Sequence, residues 1–202
     1  MIDNFKKIRD MLTFETSDDY YFLEIIQRRK DFSEDKREGV KDHKVLRTYF
    51  ISSTEKLDAV EQEVKALCKM HNARAYINPS VKSKKRTTIL LMKECLSMIE
   101  SDEYSKVESR IASAAGQCPG LKGRRKFVVD IDVKDNGVFM EVLSAIEKSG
   151  DAILYDTIPT VNGYHLVTTP FDCMKFSKSL SEATAKVVCI KHNSPTLLYY
   201  EG

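Results

Sequence analysis

The stretch "FVVDID" at 127–132 constrains the fold more than any other. It has the apolar content of a buried strand, yet carries two aspartates at alternate positions. A lone buried carboxylate costs several kcal/mol unless it is paired or bound to a metal. Strand side chains alternate between faces, so Phe127, Val129, Ile131 and Val133 point one way, and Asp130 and Asp132 point the other, ~6–7 Å apart along the strand. The apolar face is expected to meet helices and the carboxylate face an open cleft. Two hard oxygen ligands at this separation suit Mg²⁺ or Mn²⁺, which keep waters and are completed by substrate phosphates. The same pair would also fit a solvated sheet edge.

The rest of the chain alternates strand and helix patterns. "YYFLEII" at 20–26 and "VLRTYFI" at 45–51 are rich in aromatic and β-branched residues and read as strands, joined by a polar stretch at 28–44 expected to be an exposed loop or hairpin tip. "SSTE" at 52–55 supplies a capping box, after which Leu57, Val60, Val64 and Leu67 follow at helical spacing. "ARAYINP" at 73–79 reads as a strand. A helix over 84–101 places Met92, Cys95, Leu96 and Ile99 on one face, and a shorter one is expected around 104–115. "AAGQCPGLKG" then reads as a joint between two halves, 1–116 and 117–202, or as a loop within one continuous domain. The second half gives strand 127–133, helix 136–148, strand 152–158, a turn at "TVNG", strand 164–169, a short helix near 172–183, strand 186–191 and an extended "TLLYY" at 196–200. The expected class is α+β: two RRM-like α/β modules with mixed or antiparallel sheets and helices packed on one face of each.

Asn162-Gly163 is a strong hairpin signal and sets His165 at the start of the next strand. A lone histidine is more often structural, but this one shares a sheet with the aspartates. The order D-x-D strand, helix, hairpin and G-Y-H strand resembles the archaeo-eukaryotic primase and primase-polymerase superfamily. That resemblance implies metal ligation by Asp130 and Asp132, and phosphate contact by His165 in a catalytic set of those three residues. It implies nucleoside triphosphates and single-stranded nucleic acid as partners. The primase resemblance implies DNA replication; the phrases "ARAYINPS", "NGYHLVTTPFD" and "HNSPTLLYY" also resemble small proteins of phages and their bacterial hosts, which implies a nucleic-acid setting but names no reaction.

The match departs from the family at one point. A third acid belongs on a late strand, but "AKVVCIKHNSPTLLYYEG" offers Lys191 and His192 there, and Asp156 and Asp172 lie elsewhere. Three functions stay open: a nucleotidyltransferase, a non-catalytic nucleic-acid-binding or regulatory protein, and a metal-dependent nuclease. Basic clusters at 80–86 and 122–126 are candidate phosphate contacts, with Tyr76 near the first to stack a base. Arg124, Arg125 and Lys126, just ahead of the aspartate strand, are the better candidates for a template or triphosphate.

The five cysteines form no C-x-x-C pair and read as reduced, mostly packed thiols. The longest aliphatic run, "ILLM" at 89–92, is far short of the ~20 residues a bilayer span needs, and the start lacks an apolar signal region. A soluble, cytoplasmic protein without a membrane partner is expected.

Overall fold

A computed structural model describes residues 1–32, 43–103 and 107–202. Most of the loop expected at 28–44, and the start of the helix expected from 104, lie outside the described residues. The class is α+β, built on two antiparallel sheets.

The first sheet contains β1 (Ile2–Asp3), β2 (Asp19–Arg28), β3 (His43–Ile51), β4 (Arg74–Ile77), β5 (Lys82–Ser83) and β10 (Thr196–Tyr200). Its order is β1-β10-β4-β2-β3, with β5 paired to the start of β2. The second sheet contains β6 (Phe127–Ile131), β7 (Leu154–Pro159), β8 (Tyr164–Thr168) and β9 (Val188–His192), in the order β7-β8-β6-β9. The helices are α1 (Phe5–Met11), α2 (Thr54–His71), α3 (Lys84–Glu100), α4 (Val107–Gln117), α5 (Asn136–Lys148), α6 (Cys173–Ser179) and α7 (Glu182–Ala185).

Period-two patterning of β2 makes the first sheet two-sided. Tyr21, Leu23 and Ile25 pack with Phe5 and Ile8 of α1 and with Leu57, Val64 and Cys68 of α2. The alternate residues Tyr20 and Phe22 meet Ala115 of α4 on the other face. Helices therefore cover part of both faces of this sheet, where a single covered face was expected; aromatic residues at the alternate β2 positions create the second apolar surface. Helix α2 starts at a Ser53 cap, whose hydroxyl accepts from the Lys56 N–H at 3.2 Å, one residue later than the first serine of "SSTE". In the second sheet, Val129, Ile131 and Leu166 pack with Val142, Ala145 and Ile146 of α5 and Phe176 of α6. This is the apolar face anticipated for the aspartate strand.

The two halves are not separable beads. Strand β10, from the far end of the chain, lies between β1 and β4 in the first sheet. Asn4 donates to the carbonyls of Pro159 and Leu197, both at 3.0 Å, and Val167 and Ile158 of the second sheet join the first core. The glycine- and proline-bearing joint is itself packed: Leu121 N–H donates to Val81 O at 2.9 Å. Lys82, fully buried, donates to the carbonyls of Ala115, Gly116 and Cys118. Those carbonyls lie at the negative C-terminal end of α4, where an ammonium is favoured.

Candidate functional site

Strand register assembles the site. Asp130 pairs across the ladder with His165 on one side and Cys189 on the other, and Val128 pairs with Lys191. Directly opposed residues share a face, and so do residues two apart. Asp130, His165 and Lys191 therefore point to the same side, away from the α5 core. There they line a cleft of about 630 Å³, whose wall also includes Asp132, Asn162, Ser194 and Pro195 from the second sheet and its connections. The first sheet contributes Ile26, Arg28, Arg74, Tyr76 and Leu197. The wall lies where the chain passes from β9 into β10, from one sheet to the other.

Asp130 is 6% exposed, and both of its oxygens are taken. His165 Nε2 meets Oδ1 at 3.1 Å, and the Lys191 ammonium donates to Oδ2. Burial alone would push the Asp130 carboxyl up, but the hydrogen bonds from His165 and Lys191 outweigh it and hold it down at about 2. Lys191 shows the converse: burial pulls its ammonium down, and the bond to Asp130 more than reverses this. The second ring nitrogen of His165 lies 2.9 Å from the Thr196 hydroxyl. A neutral ring that donates from Nε2 to the carboxylate accepts there from Thr196, which fixes the ring plane.

Asp132 behaves differently. It lies one residue past the end of β6, is exposed, and its backbone N–H donates to Val187 O at 2.9 Å. The expected convergence of Asp130, Asp132 and His165 on one cleft is thus present, but the two carboxylates are unequal: one buried and neutralised, one open.

The hairpin before His165 uses its glycine in an unexpected way. Gly163 does not have positive φ, and neither does Asn162, so the turn is not the left-handed type that Asn-Gly favours. Instead a Cβ on Gly163 would stand 1.9 Å from Ile131 O and 2.8 Å from Val133 N and O. The glycine lets the hairpin press against the end of β6, which brings Asn162 and Asp132 to the same wall.

The three basic residues upstream of β6 do not line the cleft. Arg124 donates to Asp19 at 2.7 Å and pairs with Glu15 at 3.1 Å. Arg125 Nε donates to Gly120 O at 3.0 Å. Lys126 is buried, donates to Met11 O at 3.0 Å and lies 4.5 Å from the Tyr155 ring centre; burial lowers its ammonium to about 8. These residues tie the start of β6 to the first half. Their assignment as phosphate contacts loses its geometric basis, since sequence adjacency to β6 places them at the strand end remote from Asp132.

The cationic wall comes from residues that adjacency did not indicate. Arg74 is largely committed: it forms a bidentate pair with Asp31 and stacks 4.3 Å from the Tyr200 ring centre. Arg28 Nε lies 3.9 Å from Asp31 and has no hydrogen-bond partner among the described residues. Tyr76, anticipated for base stacking, does lie in the wall.

Of the two carboxylates expected to hold a divalent metal, Asp130 is already engaged on both oxygens by His165 and Lys191. Lys191 already supplies positive charge to Asp130, and Asp132 offers a single open carboxylate. Among the described residues, no cluster of three or more His, Cys, Asp or Glu side chains is placed to hold an ion. Among them, too, no helix is long and apolar enough to cross a membrane. No protein-family model matches the chain, and searches of curated proteins and of solved structures return no match.

Proposed function

We propose that the cleft binds a phosphate-bearing ligand, a nucleotide or a segment of single-stranded nucleic acid, without a divalent metal between protein and phosphate. The observation that carries this is the Lys191 ammonium on Asp130. A catalytic primase-polymerase centre would need its carboxylates free to gather metal, whereas here the protein neutralises the buried carboxylate itself. Lys191 keeps a side chain 40% exposed, and Arg28 lines the same cleft. Two cations and a tyrosine ring make a suitable surface for a phosphate and its base, since stacking on an aromatic ring is tolerant of sequence and cationic side chains follow the backbone.

The shared wall of Asp130, Asp132 and His165 favours a second reading, a nucleotidyltransferase using Mg²⁺ or Mn²⁺. It requires Lys191 to leave Asp130 when substrate arrives. Primer-synthesis and primer-extension assays with both metals, run beside thermal-shift titrations with a nucleoside triphosphate and a short single-stranded oligonucleotide, separate the two. The binding function predicts a shift in the presence of EDTA and no synthesis. Metal-dependent synthesis abolished by Asp132→Asn would establish the enzyme instead.

A further inference from the structure

Helix α3 turns an apolar stripe outward. Ile89, Met92, Leu96 and Ile99 are 46%, 62%, 60% and 57% exposed, while Thr87 and Met98 on the opposite side are buried. Steps of three and four residues align the four along one line of the helix, the spacing of a coiled-coil seam. Contiguous exposed apolar patches larger than a few hundred Å² mark interaction surfaces, and a stripe of four long side chains along one helix is a candidate for one.

The pattern of the stripe indicates what covers it. Its spacing reads the same from either end, about a centre at Glu94. Two antiparallel copies related by a two-fold axis through that centre set Ile89 against Ile99 of the second copy, and Met92 against Leu96 of the second copy. Every apolar side chain then meets another in a self-complementary contact.

Charge follows the same symmetry. Lys85 and Arg86, at the start of α3, are exposed, as are Glu100 at its end and Glu103 just beyond. Helix α3 has no acidic residue in its first turn and no basic residue in its last. Its terminal charges therefore oppose its own macrodipole, an arrangement that weakens a helix standing alone. An antiparallel partner reverses the penalty by placing the acidic end of one copy beside the basic end of the other, at both rims. A parallel partner would set like charge against like. Lys93, close to the axis, contributes a like-charge meeting in the antiparallel pair, which limits its strength.

We infer that the chain forms a two-fold homodimer by antiparallel packing of α3 on α3 of a second copy. Four side chains per copy cover less than the ~800 Å² per partner of a standard interface, which places the contact in the weak, transient class.

Sedimentation equilibrium of the full chain, from low to several hundred micromolar, tests this. The mass should rise from 23.1 kDa toward twice that value. Leu96→Asp, at an exposed site, should keep the circular dichroism of the native chain and remain monomeric throughout. Arg86→Glu and Glu100→Arg should each weaken the dimer roughly two- to tenfold, because each alters two exposed ion pairs per dimer. The two substitutions combined should restore native affinity. A native chain that stays monomeric, a dimer indifferent to Leu96→Asp, or a double swap weaker than either single change would overturn the inference.

Discussion

If the cleft works without metal as proposed, replacing Lys191 with alanine should make it bind one. The substitution removes the ammonium from Oδ2 of Asp130 and leaves His165 as that carboxylate's partner. Two unit charges ~3–4 Å apart at an effective dielectric of about 20 attract by about 4–5 kcal/mol before desolvation is counted. Lys191 is 40% exposed, so solvent screening and the desolvation of Asp130 reduce the net loss to about 1–2 kcal/mol. For a chain of this size that lowers the melting temperature by roughly 2–8 °C. The pKa of Asp130 should climb from its depressed value toward the ordinary carboxylate range, as one of its two hydrogen-bond donors is lost. The vacated oxygen, with Asp132 nearby, is then open to a hard cation. Adding Mn²⁺ should stabilise the variant by RT ln(1 + [Mn²⁺]/Kd) and raise its melting temperature accordingly, while leaving the native protein unmoved. Differential scanning calorimetry with and without Mn²⁺ gives both melting-temperature shifts, and repeating it across pH follows the change at Asp130. An equal metal-induced rise in native protein and variant, or none in the variant, would refute the idea that Lys191 stands where a metal would.

Three other outcomes follow from the same contacts. Gly163→Ala should destabilise the fold by about 3 kcal/mol or more in urea denaturation, since the added methyl would meet the Ile131 carbonyl at 1.9 Å and the hairpin would have to move. The hydrogen bonds from His165 and Lys191 hold the Asp130 carboxyl at about 2, below its ordinary value of 3.8, so its stabilising contribution is present above pH ~4 and is lost as the pH falls toward 2; the stability gap between native protein and Asp130→Asn should close over that window. Arg124→Ala should cost about 1–3 kcal/mol of stability by leaving the buried Asp19 carboxylate short of a partner, yet Arg124→Ala and Arg125→Ala should leave the salt dependence of oligonucleotide binding unchanged.

Much of this molecule could be read from periodicity. The alternation in β6 correctly separated Val129 and Ile131 from Asp130, because a strand with one apolar face permits a single register. The strands at 20–26, 45–51, 164–169 and 196–200 appear within a few residues of expectation. Helix α1 went unread although Phe5, Ile8 and Met11 are all buried at helical spacing; the helix is short, lacks a side-chain cap, and is held by tertiary packing. In α3, the face expected to carry Met92, Cys95, Leu96 and Ile99 turns out rather than in, with Met92, Leu96 and Ile99 exposed and Cys95 half-buried, and periodicity alone does not distinguish the two. The role of Lys191 depends on the β6–β9 register, and those of Arg28 and Arg74 on the docking of one sheet against the other. Local sequence carries neither. The clue available was the lysine standing where the resembled family places an acid.

The most direct test of the cleft is fluorescence anisotropy of a labelled single-stranded oligonucleotide in EDTA, titrated against salt for the native protein and for Arg28→Ala. The metal-free binding function predicts saturable association without divalent ions, weaker in the variant, and with a salt slope reduced by about one unit per lost phosphate contact. Association that appears only when Mg²⁺ or Mn²⁺ is supplied, or binding that is identical in the variant, would contradict it.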